Sequence, residues 1–193
     1  MRAISICLIL VFLGLGSSCA TPSTQPLFIE DPQLHFDASV ALDFRNLADE
    51  TWSQFLSTFA ARKDCFGDVT LRTDSTLESR AKYDPESAIV IVKVPGTPAF
   101  LQAALVHEWA HHVEFQCDAH QALRPIILEI LDRPANAPWR VNSNLDEADW
   151  ANTPSEHYAE AAVELVLGDH PLPTKIRVDP EIVAVLEKWV CGD

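Results

Sequence analysis

The segment ALVHEWAHHVEFQC, residues 104 to 117, places His107, Glu108 and His111 in the pattern H-E-x-x-H. Residues four apart on a helix lie about 40° round the axis and one turn along, so both imidazoles project from one face. Two rings so placed can hold one metal ion between them. Glu108 lies about 100° round from His107 and reaches a metal-bound water without being a ligand itself. Metal-assisted hydrolysis needs this arrangement: nitrogen ligands, an open coordination position, and a carboxylate base beside it. No Cys-x-x-Cys occurs, which disfavours a thiolate zinc knot.

Such side chains are useful only on a rigid support. PGTP, residues 95 to 98, reads as a turn with Thr97 as N-cap and Pro98 at the first helical position, predicting a helix from Pro98 to about Gln116. Phe100, Ala103, Ala104 and Ala110 share the His107 face, and the alanines leave room for another element to approach. Leu101, Leu105, Val106, Trp109 and Val113 cover the rest of the circumference, as expected of a buried helix. A buried helix has little use for unpaired imidazoles. His112 falls on the side of Leu101 and Leu105, away from the proposed metal face, and reads as a hydrogen-bonded structural histidine.

A hydrolytic zinc site has three protein ligands and one open position, so a third ligand is needed. In the H-E-x-x-H-x-x-G-x-x-H pattern of the metzincins a third histidine follows on, but here Glu114 and Cys117 stand where the glycine and that histidine would be. The ligand therefore comes from elsewhere, and the candidate segment is TPSEHYAEAAVELVLG, residues 153 to 168. Thr153 and Pro154 open a helix that Gly168 closes, and Glu156 and Glu160 lie four apart on one face of it. One carboxylate can bind the metal while the other accepts a hydrogen bond from the far nitrogen of a ligand histidine. Thr153 and Glu156 also fit a capping box, in which Glu156 folds back onto the Thr153 amide and Glu160 becomes the ligand. His120, His157 and His170 are rival ligands.

The remaining elements read more plainly. Val40, Phe44, Leu47, Trp52, Phe55, Leu56 and Phe59 predict an amphipathic helix from Asp37 to about Arg62, ended by CFGD. Residues 69 to 72 and 88 to 94 are β-branched runs bounded by turn residues and predict strands. A helix is expected over 125 to 132, a long surface loop over 133 to 153, and a last helix from Pro180 to about Val190 behind an Asp179 N-cap. The order predicts an α+β fold, helix-rich, with a small mixed sheet packed on the H-E-x-x-H helix.

H-E-x-x-H followed at a distance by E-x-x-A-E resembles the gluzincin metallopeptidases. The second helix is similar to that of their anthrax-lethal-factor-like branch, over roughly residues 99 to 167. The resemblance implies a zincin-like fold, Zn2+ as cofactor, His107, His111 and Glu156 as ligands, Glu160 as the carboxylate behind a ligand histidine, and Glu108 as general base. It also implies that AIVIVKV, residues 88 to 94, is the sheet edge along which a peptide substrate lies. The chain departs from the pattern in showing no recognisable Tyr or His to stabilise the transition-state oxyanion. Tyr158 is two residues past Glu156 and should point to the opposite face, while Tyr83, His157 and Arg140 are not located by the sequence.

Residues 1 to 20 have one arginine, an apolar run from Ile4 to Leu15, and small residues at Ser18 and Ala20, the layout of a secretory signal peptide. Gly16-Ser17-Ser18-Cys19 resembles a lipobox, an alternative processing point that would anchor the protein by a lipid at Cys19. Residues 21 to 26 form a spacer, and 27 to 193 form a single domain large enough to bury a core without disulfides. Three cysteines follow the leader, and the expected pair in an oxidising compartment is Cys65 with Cys117, leaving Cys191 over. A net charge of -14 repels a phosphate backbone and argues against nucleic acid as a partner. The expected protein is a secreted or lipid-anchored zinc peptidase acting on a peptide or protein. Its alternatives are a non-catalytic extracytoplasmic zinc-containing binding protein on a peptidase-like fold, and hydrolysis of a non-peptide amide.

Overall fold

The computed structural model describes residues 31 to 140, 150 to 168 and 176 to 192. The leader, Cys19, the spacer and His170 lie outside the described residues. The fold is α+β: a small four-stranded mixed sheet and a larger set of helices. The strands are β1 (Leu34–Phe36), β2 (Val69–Thr73), β3 (Ala81–Asp84) and β4 (Ile89–Val92), in the order β1-β2-β4-β3. β1 pairs with β2, and β2 with β4, in parallel, while β3 runs antiparallel to β4.

Alternation along the central strands shows which face is covered. Val69, Leu71, Val90 and Val92 are buried, whereas Thr70, Ile89 and Ile91 between them are half-buried and Arg72 is exposed. The buried face meets α1 (Leu42–Thr58) and α2 (Pro98–Gln116), which interlock through aromatic rings. Trp52 and Phe55 of α1 stand 4.9 and 5.7 Å from Trp109 of α2, centroid to centroid. α3 (Leu123–Ile130), α4 (Pro154–Leu167) and α5 (Pro180–Val190) complete the helical layer. α2 is thus enclosed by the sheet on one flank and by α1 and α4 on the others. Enclosure explains why its sequence is apolar nearly all round.

Local signals account for the helix limits. The Thr97 side chain accepts from Phe100 N at 3.4 Å at the start of α2, and Asp179 accepts from Glu181 N at 2.8 Å at the start of α5. Gly168, at φ 71°, ends α4. The helix expected from Asp37 starts later, because the Asp37 carboxylate accepts from Ser39 N at 2.8 Å and Val40 N bonds to Asp37 O. This turn holds residues 37 to 40 out of the helix. At the other end α1 stops at Thr58 and a 3-10 turn over Ala60–Cys65 follows.

Two strands were invisible in the sequence pattern. β1 has three residues and β3 has four, too short for a periodicity to stand out. Their presence corrects one expectation: β4 is paired on both sides, so it cannot be the edge that receives a substrate strand. Among the described residues the outer strands are β1 and β3. In the stretch expected to be loop, Trp150 and Ala151 are helical, and residues 141 to 149 lie outside the described residues. Among the described residues no helix is long and apolar enough to cross a membrane.

Cys65 and Cys117 are disulfide-bonded, with Cα atoms 4.7 Å apart, joining the segment before β2 to the residue that ends α2. Cys191 is disulfide-bonded as well, so it is not the leftover thiol that the odd count suggested.

Candidate metal centre

α2 and α4 cross where the alanines of both helices let them approach. Ala103, Ala104 and Ala110 of α2 and Ala159 of α4 are all buried. His107 and His111 project from α2 into this seam and meet Glu156 and Glu160 from α4. His107 Nε2 lies 3.2 Å from His111 Nε2 and 3.0 Å from Glu156 Oε2, and His111 Nε2 lies 3.5 Å from Glu156 Oε1. Among the described residues His107, His111 and Glu156 form a group able to share a metal ion, with their ligand atoms within 4.8 Å of one another. A tetrahedral ion with ligand distances of about 2.0–2.1 Å holds its donors about 3.3 Å apart. The observed spacings bracket that edge length.

The far nitrogens explain why the near ones converge. His107 Nδ1 donates to Glu160 Oε1 at 3.1 Å, and His111 Nδ1 donates to Glu114 Oε2 at 2.9 Å. A neutral imidazole carries one N–H, so a proton fixed on each Nδ1 leaves each Nε2 with a bare lone pair. Those two lone pairs then face each other and the Glu156 carboxylate, all partly or fully buried. Without a positive charge in the middle the arrangement is repulsive, and a divalent cation relieves it. A proton does the same less well: burial alone pushes the His107 pKa down, yet hydrogen bonds to Glu156 and Glu160 raise it to about 9. His111 is likewise lifted well above its ordinary value, its hydrogen bonds to Glu114 and Glu156 overcoming burial. Glu156 resists burial too, and its bonds to the two histidines hold it below the usual carboxylate range.

Glu108 is not one of the residues grouped around the candidate metal position. It is buried, burial raises its pKa, and the positive charges of His107 and His111 oppose the rise. Among the described residues no hydrogen bond or ion pair engages its carboxylate. It is available as a base.

The capping-box alternative for Glu156 does not hold. The Thr153 amide donates to Trp150 O at 3.0 Å, and the Glu156 carboxylate is turned to the histidines. The rivals fall away as well. His120 is sealed among Trp139, Tyr158 and Trp189, and His157 is half-buried outside the cluster. His112 is structural: its Nε2 donates to Gly67 O at 2.9 Å, which leaves Nδ1 to accept from the Tyr83 hydroxyl at 2.9 Å. Tyr158 is fully buried on the far side of α4 against His120, in keeping with its position two residues past Glu156. Tyr83 is committed to His112 and Gln116, and Arg140 is committed to Glu114.

The contacts of four residues here were missed in the sequence. Glu114, 2% exposed, accepts from His111, from Trp139 Nε1 at 2.6 Å and from the Arg140 guanidinium. Its signal was legible: an acid three residues after His111 on an apolar helix lies on the same side. Trp139 and Arg140 come from an irregular segment and gave none. Trp150, whose ring stacks on His107 at 6.2 Å and 24°, gave none either. Comparisons with known protein families, with curated proteins and with solved structures find no match for the chain.

Proposed function

We propose that the protein is a zinc-dependent hydrolase of peptide bonds, zincin-like in arrangement and similar to the gluzincins in its ligand set. One observation carries this reading: two Nε2 lone pairs and a carboxylate converge at tetrahedral spacing, with both Nδ1 protons anchored on separate carboxylates. His107, His111 and Glu156 would hold the ion. Zinc bound there supplies a Lewis acid for the scissile carbonyl and lowers the pKa of a coordinated water to about 7.

The chain's own groups do the rest. Glu108 accepts the proton of the attacking water on a carboxylate oxygen and delivers it to the leaving amide nitrogen. Its burial makes it a stronger base than an exposed glutamate. Glu160 and Glu114 keep the two rings in the tautomer that presents Nε2 inward. The Trp150 ring stacks alongside the His107 ring. The leader-like residues 1 to 20 support a site of action outside the cytoplasm, with lipidation at Cys19 as the anchored form.

The test is zinc content after exhaustive dialysis, together with chelator-sensitive cleavage of an unfolded casein-type substrate. Glu108→Gln should keep the metal and lower turnover about 10²- to 10⁴-fold, the usual worth of a positioned base. A fully active Glu108→Gln protein would remove Glu108 from this role. Retained zinc with no cleavage of any peptide or amide would favour the non-catalytic binding protein.

A further inference from the structure

Trp139 follows α3 and lies outside every regular element, yet it is buried. Its indole Nε1 donates to Glu114 Oε1 at 2.6 Å, and the Arg140 guanidinium pairs with the same oxygen. The other oxygen of that carboxylate, Oε2, accepts from His111 Nδ1 at 2.9 Å. A glutamate side chain has several rotatable bonds, so gripping one carboxylate oxygen is what holds the other in a fixed direction. That direction is toward His111.

Trp139 is itself held from several sides. Its carbonyl oxygen accepts from Ser155 N at 3.1 Å. Ser155 stands in the first turn of α4, where amides have no partner within their own helix, and it immediately precedes Glu156. The ring packs against His120 at 5.5 Å, Tyr158 at 6.4 Å and the Arg124 guanidinium at 5.6 Å. One residue thus touches both helices that carry the candidate ligands, α2 through the Glu114 carboxylate and α4 through the Ser155 amide. Packing alone gives no reason for an indole here rather than a phenyl ring. A donor aimed at a buried carboxylate does.

Resting on the reading that His107, His111 and Glu156 hold zinc, we propose that Trp139 is a positioning residue of the metal centre. Anchored on α4, it fixes the Glu114 carboxylate through its indole N–H, and Glu114 in turn fixes the His111 ring with Nε2 facing inward.

The test uses the full chain in two variants. Trp139→Phe removes the N–H and keeps an aromatic ring. Trp189→Phe alters the same aromatic surroundings, since Trp189 stands 6.0 Å from His120, but has no hydrogen bond to Glu114 among the described residues. Two quantities are read: the zinc dissociation constant by chelator competition, and, by NMR of the zinc-free protein, the exchange of the His111 Nδ1 proton with solvent. Trp139→Phe should weaken zinc binding about tenfold, the lower end of the effect of a group behind a ligand because it acts one hydrogen bond further out, and should speed loss of the proton by a similar factor. Trp189→Phe should change neither. Should Trp139→Phe fail to fold, benzothienylalanine at position 139, which keeps the bicyclic shape and replaces the N–H by sulfur, takes its place. Where wild type binds zinc, an unchanged value of either quantity in the position 139 variant overturns the proposal, as does an equal change in Trp189→Phe, and the zinc reading stands. Where wild type binds none, that reading falls by itself, and the proton exchange alone decides whether Trp139 orients His111.

Discussion

His107 and His111 owe their chemistry to atoms on the far side of their rings. Each Nδ1 is held by its own buried carboxylate, Glu160 from the facing helix and Glu114 from one turn along the same helix. Glu114 is the busier of the two, because Trp139 and Arg140 crowd onto its other oxygen. Its ionised form is favoured despite burial, through the hydrogen bond to His111 and the charges of His111 and Arg140. Replacing it by glutamine leaves the shape but offers His111 a weaker acceptor. Zinc affinity, measured by competition with a chelator, should fall about 10- to 100-fold in Glu114→Gln. An affinity equal to wild type would reduce Glu114 to a packing role.

At the scale of elements, the centre depends on how closely α2 and α4 approach. Ala103 lies about 40° round from His107 on the same side of α2 and is buried. Ala103→Leu forces three extra carbon atoms into a filled space. The expected cost is about 1–3 kcal/mol of stability in urea unfolding, with loss of zinc because Glu156 and Glu160 are carried away from the histidines. A variant of unchanged stability and zinc content would mean that the seam has slack. The sheet matters differently: β4 is central, so α2 rests on a strand paired on both sides, and among the described residues β1 and β3 are the outer strands.

For the molecule as a whole, two features hold the helical layer against the rest. The Cys65–Cys117 disulfide spans 52 residues and clamps the end of α2 to the 3-10 turn that precedes β2. Loop entropy values such a closure at about 4 kcal/mol, and a Cys65→Ala, Cys117→Ala protein should lose about 2–4 kcal/mol in urea unfolding. A loss below this range would place the stability of the region in its packing. The second feature is His120, wholly buried among Trp139, Tyr158 and Trp189, with neither ring nitrogen hydrogen-bonded among the described residues. Burial lowers its pKa from 6.5 to about 3. Below pH 6.5 the unfolded chain therefore binds a proton that the folded one refuses. The contribution of neutral His120 is complete above pH 6.5 and is lost progressively as the pH falls toward about 3. His120→Phe, which suits an aromatic box, should flatten the fall of the urea midpoint over that range, and an unchanged slope would exclude His120 as its source.

Chain order alone determined α2 and the direction of its two histidines, since a four-residue spacing on a helix is a local property. It also determined the starts of α2, α4 and α5, each written in a Thr-Pro or Asp-Pro step. The pairing of Cys65 with Cys117 agreed with the expectation, as did the turning of Glu156 and Glu160 toward α2. Only the tertiary structure decided which carboxylate meets which ring nitrogen, that Glu114 serves His111, that Trp150 stacks alongside His107, and that β4 lies inside the sheet. Those outcomes depend on the distance and angle between elements far apart in the chain, and such quantities leave no periodic trace in the residues that obey them.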